Sequence, residues 1–256
     1  MSLANYVALY TLFRREMVRT YKILNQVVWP PIITTLLYVF VFGLALGSRI
    51  RSVQGVSYAE FLIPGLIMLQ VIDGAYGEAS ASVFQGRFQH HIEELLIAPM
   101  SSLEIVLGYV LAGIVRAFVV AALITLLGAI FVHTLPHNWL IYFAILTLVA
   151  ALFASLGVVF GLLANKFDDV ASLTTFVITP LVFVGGVFTS IQFLPPIVRE
   201  ASLFNPMFHM IDAFRFAYTG TTDIPLWISL SVVVALTAAS FALALRLVHV
   251  GFKLRT

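Results

Sequence analysis

The chain has 256 residues, 61% hydrophobic and 10% charged, with a mean hydropathy of +1.04 and a formal charge of +2. That apolar excess lies far outside the range of soluble domains, and the small net charge gives no basis for a nucleic-acid partner. With no cysteine in the sequence, disulfides, a thiol nucleophile and a cysteine-ligated metal are excluded, and the length suits about six spanning helices of roughly 20 residues with no separate soluble domain.

In chain order, residues 1–26 predict a basic interfacial helix. Leu3, Tyr6, Val7, Tyr10, Phe13, Met17, Tyr21 and Leu24 form an apolar stripe opposite Arg14, Arg15, Arg19 and Lys22. The run from Val27 to Leu46 is about 20 residues, long enough to span, and reads as a retained first membrane helix rather than a cleaved signal. A second span is expected over 61–83. Residues 84–104 then interrupt the apolar half with charge. Phe84, Phe88, Ile92, Leu95 and Leu96 recur at helical spacing, with Gln85, Arg87, Gln89, His90, Glu93 and Glu94 on the other side. This predicts a short amphipathic helix ended by Pro99, after which Ser101 and Glu104 have the capping-box spacing that starts the next helix. The segment is either a helix on the membrane surface or a docking handle for a soluble partner.

Further spans are expected over 105–132, 139–164, 170–188 and 226–250, leaving a tail at 251–256. The predicted fold class is an all-α integral membrane protein with six transmembrane helices. Residues 189–223, between the last two spans, are irregular. Two apolar pieces, Pro195 to Leu203 and Pro206 to Tyr218, are each too short to span and are separated by Asn205-Pro206. They suggest re-entrant helices in the outer leaflet, tolerated where protein or water covers their backbone; a surface loop with aromatic anchors is the plainer alternative.

Six spans put both termini on one side. That side carries Arg14, Arg15, Arg19, Lys22, Arg87, Lys166, Arg246, Lys253 and Arg255, against Arg49, Arg51, Arg199 and Arg215 on the other. The positive-inside rule therefore makes the termini and the 84–104 segment cytoplasmic.

Three charges fall within spans: Asp73 and Glu78 in the second, Arg116 in the third. Each costs about 2.5 to 3.5 kcal/mol near the bilayer centre and needs a partner or water. A rise of 1.5 Å per residue puts Asp73 and Arg116 at similar depth, roughly 15 to 18 Å from the cytoplasmic ends, where they could pair. A structural pair between neighbouring helices accounts for them as well as a substrate or proton site does. No phosphate loop of the G-x-x-x-x-G-K-[ST] type occurs, nor any G-x-S-x-G or H-E-x-x-H motif, so no catalytic site and no metal site is visible. Gly157 and Gly161 have the spacing for close helix contact.

The residues then carry a family resemblance. Besides the basic N-terminal helix, they are Phe61-Leu62-Ile63-Pro64-Gly65, Ile92-Glu93-Glu94-Leu95-Leu96-Ile97-Ala98-Pro99, Gly185-Gly186-Val187-Phe188, Leu194-Pro195-Pro196, Asn205-Pro206, Asp212 and Arg215 before Gly220. In this order they resemble an ABC-2 type permease, the transmembrane subunit of an ATP-binding-cassette exporter, of the short six-helix bacterial kind related to drug-resistance and nodulation-factor exporters. The resemblance implies a homodimer in the bacterial inner membrane, driven by two copies of a separate ATPase subunit that binds ATP and Mg, with no cofactor in this chain. It implies that Arg87, His90, Glu93 and Glu94 belong to a coupling helix seated on that ATPase. It also implies that Gly185, Gly186, Pro195, Pro196, Asn205, Pro206, Asp212 and Arg215 form an outer gate of re-entrant helices. An amphiphilic substrate, such as a drug, lipid or glycoconjugate, is expected to pass along the dimer interface, with the second and fifth spans lining the path. The alternative from another class is an ion-coupled secondary transporter using Asp73, Glu78 and Arg116 as a relay.

Overall fold

The computed structural model describes residues 3–46, 52–89 and 100–252. Among these residues the chain is helical, with one isolated bridge between Val53 and Val56. In hydrocarbon every backbone amide must be satisfied within its own segment, so an apolar chain without strand periodicity resolves into helices. Helix α1 covers Leu3–Lys22. The spans that follow are α2 (Leu24–Gly43), α3 (Tyr58–Phe88), α4 (Ser102–Val132), α5 (Trp139–Leu163) and α6 (Phe167–Val187). Two short helices come next, α7 (Pro196–Leu203) and α8 (Pro206–Thr219), and the last span is α9 (Leu226–Val250). These six spans are long and apolar enough to cross a membrane.

Cap residues set several helix starts. Ser57 accepts from the Glu60 amide, Ser101 and Glu104 close the capping box that their spacing predicts, and Asn138 accepts from Leu140 and Ile141. Asn205 caps α8 ahead of Pro206 at the first helical position, and Gly220, with φ +78°, ends that helix in the left-handed region.

Helix α3 is the central post. In its most apolar stretch 72% of residues are buried, against 17% for α2 and 22% for α9, so α3 is wrapped by the chain itself while α2 and α9 face outward. Close packing of α5 on α3 depends on glycine. A Cβ on Gly157 would stand 2.6 Å from the Tyr76 carbonyl oxygen, and one on Gly161 2.8 Å from that of Ser80. Without hydrophobic driving force between helices, such backbone approach supplies the packing.

The structure departs from the sequence-based boundaries at α3. The helix starts at Tyr58 and ends at Phe88. Phe84 to Phe88, expected to begin a separate amphipathic helix, therefore continue the span, and the rest of that helix (90–99) lies outside the described residues. On α1, Tyr6, Val7, Tyr10 and Tyr21 of the apolar stripe are exposed, while Leu12 and Glu16, one turn apart and outside that stripe, are buried against the bundle. The side chain of Leu12 fills the space above Gly108 of α4.

Candidate functional site

Burying Glu16 brings a carboxylate to the Phe88 end of α3, and a charged cluster forms around it. Glu16 accepts from Arg15 at 2.9 Å and from Arg19 at 3.1 Å, and also from the Ser82 hydroxyl. Arg19 reaches on to Glu78, which also accepts from Thr20 at 2.8 Å and from Arg116 of α4 at 2.6 Å. Arg15 donates to the Tyr109 hydroxyl as well. The cluster alternates in sign, Arg15, Glu16, Arg19, Glu78, Arg116, with both carboxylates 1% exposed and the three guanidiniums partly open. It holds α1 on the bundle, since removing one member of a buried network leaves the others uncompensated.

Arg116 therefore takes Glu78 as its ion-pair partner, not the expected Asp73. The reason is direction along the helix: Glu78 is five residues nearer the Phe88 end, where α1 supplies a second cation to the same carboxylate. Asp73 is the central residue of α3, with fifteen on either side, and is exposed. Arg116 acts on it through space without a hydrogen bond, so Asp73 is left open.

Around Asp73 the uncovered face of α3 carries polar and small residues. Gln70, Asp73, Gly77, Ala81 and Gln85 succeed one another at spacings of three and four residues, and each is exposed or half-buried. Toward the Tyr58 end the helix is sealed, with Phe61 to Met68 all buried. The open face thus runs from the middle of α3 to its Phe88 end only.

The sealing half is held by the residues of the expected outer gate. Gly186, at φ +95°, breaks α6 and turns its carbonyl toward α8, where Arg215 donates to it at 2.6 Å. The Arg215 guanidinium also stacks 3.8 Å over the Phe61 ring. Burial pushes its pKa down to about 10, which leaves it a cation at neutral pH. Asp212 accepts from Thr222 at 2.7 Å and from the Asp223 amide at 2.8 Å, and desolvation pushes its carboxyl up. Asn205 ties α8 to α6 through the Leu181 carbonyl at 2.7 Å, and Gly185 lets Met207 approach. Pro196 and Pro206 open α7 and α8, with Pro195 as the residue before α7. Gln54 and Ser190 close the set on Asp223, at 2.6 and 2.7 Å.

Of the expected coupling residues, only Arg87 is described. Its guanidinium is half-buried and donates to the carbonyls of Gly161, Leu162 and Ala164, satisfying the C-terminal end of α5. Arg87 braces the start of the 84–104 segment; His90, Glu93 and Glu94 lie outside the described residues. Glu16, Ser82, Tyr109 and Phe61 were not legible as site residues. For Glu16 a signal existed: one carboxylate among four cations of α1, a turn from Leu12.

The chain matches the family model described as ABC-2 type transporter over residues 7–219. It is 39% identical over 251 residues to the inner membrane transport permease YadH of Escherichia coli, covering 98% of each chain. It is 32% identical over 182 residues to nodulation protein J of Rhizobium leguminosarum bv. trifolii, covering 70% of this chain and 69% of that one. With six spans gathered on a central helix that keeps one face uncovered, and with a match running from the first turns of α1 to the end of α8, the chain belongs to the ABC-2 type transporter family.

Proposed function

We propose that the chain is the membrane half of an ATP-binding-cassette exporter, working as a homodimer in the bacterial inner membrane with both termini cytoplasmic. It moves an amphiphilic substrate, a drug, lipid or glycoconjugate, outward along the dimer interface. Two copies of a separate ATPase subunit, which bind ATP and Mg, supply the energy. The YadH relative, an inner membrane transport permease by name, supports the membrane and the transport role.

The observation that carries this reading is the half-open face of α3. A carboxylate flanked by two amide side chains on the uncovered face of a membrane span is stable only against water or a second protein surface. With the Phe88 end cytoplasmic, this face opens inward while Phe61, Gly186 and Arg215 close the outer half. An inward-facing cavity closed on the far side suits loading for export. Coupling requires that ATP binding change the relative stability of two arrangements, and the 84–104 segment, the direct continuation of α3, is the contact through which it acts.

The test is purification of the tagged chain from its own membranes, with ATPase activity assayed and co-purified proteins identified. A nucleotide-binding subunit is expected, and its recovery drops when Glu93→Lys and Glu94→Lys are combined. Recovery of the folded chain alone, without ATPase activity across several detergents, would overturn the exporter reading in favour of an ion-driven one.

A further inference from the structure

Where α1 meets the Phe88 end of α3, the two helices enclose a cavity of about 330 Å³, lined by Arg15, Glu16 and Arg19 from one and by Ser82, Gln85 and Gln89 from the other. Glu16 is not a free acceptor there. Its carboxylate is 1% exposed, and its two oxygens take both guanidiniums and the Ser82 hydroxyl, so it holds the arginines in place. Arg15 spends Nε and Nη2 on Glu16 and Tyr109, and Arg19 spends the same two nitrogens on Glu16 and Glu78. Nη1 of each arginine therefore remains an open donor among the described residues, on side chains 42% and 27% exposed. With Arg116, Glu78 and Asp73 included the charges balance, but not at one depth. Glu78 is shared between Arg19 and Arg116, and Asp73, which answers Arg116 through space, stands about 13 Å along α3 from Ser82. At the cavity itself two guanidiniums meet one buried carboxylate, and the rest of the described lining is neutral.

We infer that this cavity is a binding site for a phosphate group. Phosphate oxygens accept from Nη1 of both arginines, and the Gln85 and Gln89 amides supply further donors, a larger set than a halide or a lone carboxylate uses. The walls come from two helices, so an occupant ties α1 to α3 beside the ion pairs that already do so, and it stabilises the folded chain by its binding. Gln85 belongs to the open face of α3 as well as to the cavity, which leaves two sources for the group: phosphate dissolved in water at the Phe88 end, and the headgroup of a membrane lipid. Basic pockets between membrane helices take lipid headgroups by the same chemistry.

The test follows the unfolding temperature of the full chain in a neutral detergent during titration with two probes. Inorganic phosphate is compared with chloride at equal ionic strength, and a short-chain phosphatidylglycerol with the diacylglycerol of the same chains. At least one phosphate probe is expected to raise the wild-type unfolding temperature above its control. Arg15→Gln, which removes a donor, and Gln85→Glu, which sets a competing carboxylate in the cavity, each weaken that probe by about tenfold or more, while Arg14→Gln, outside the cavity, does not. Gln85 is exposed and takes no part in the ion pairs, so its variant decides the question if Arg15→Gln fails to fold. A shift with the lipid alone assigns the site to a headgroup, and an equal shift with inorganic phosphate assigns it to phosphate from solution; either supports the site. No shift with either probe overturns it. Equal weakening in Arg14→Gln, or none in folded Gln85→Glu, overturns it in favour of diffuse attraction to the basic helix.

Discussion

At Gly157 the obstruction to a side chain is backbone: a Cβ would meet the Tyr76 carbonyl oxygen at 2.6 Å and the Ser80 amide nitrogen at 3.0 Å. Neither can rotate aside, because both belong to the central helix of the bundle. Gly157→Ala is therefore expected to destabilise the folded chain by about 1 to 3 kcal/mol, read as a lower unfolding temperature in detergent, whereas alanine at the open Gly77 does not lower it. Equal unfolding temperatures for the two variants would show that α5 does not need its close seat on α3. Gly157 and Gly161 were legible as packing residues because the rule behind them is local, two small residues one turn apart. The choice of partner by Arg116 was not legible. It depends on a third helix, α1, bringing Arg19 and Thr20 to Glu78, and helical rise alone cannot register that.

As an element, α1 is held by the apolar contact of Leu12 on Gly108 and by a chain of charges. Its outward Tyr6, Tyr10 and Tyr21 suit the headgroup region. Since the sequence has no cysteine, a single introduced thiol reports on docking without background. In a Leu12→Cys background the thiol is expected to resist a water-soluble maleimide, and adding Glu78→Gln exposes it, because Arg116 then loses its ion-pair partner and Arg19 keeps only Glu16, which breaks the charged link from α1 to α3 and α4. Equal labelling in both backgrounds would mean that the charges do not hold α1. The sequence made the existence and amphipathic character of α1 plain. It concealed that a further face, with Leu12 and the Glu16 carboxylate at its centre, is covered by the bundle. The six spans were legible from hydropathy alone. The true ends of α3 were not, because a helix running past the membrane into its polar continuation has no hydropathy edge at its boundary.

For the whole molecule, the proposed twofold places the open face of α3 opposite its copy. Ala81→Cys is expected to give covalent dimers on mild oxidation or with a short bis-maleimide, while cysteine at the exposed Trp227 of α9 does not. Efficient coupling at Trp227 with none at Ala81 would turn the assembly around and place the open face on the outside. The charged cluster also imposes an order on how the protein is made. Helix α1 leaves the ribosome ahead of α3 and α4, yet the hydroxyl that Arg15 meets is 94 residues downstream, about 5 to 20 seconds of synthesis later. Until α3 and α4 have been inserted, the nascent chain must keep Glu16 and Arg19 at the water boundary, where the tyrosines can anchor α1 on the bilayer surface. Docking of this early-made segment is thus a late event, and a chain truncated before Arg116 leaves α1 without its full seat.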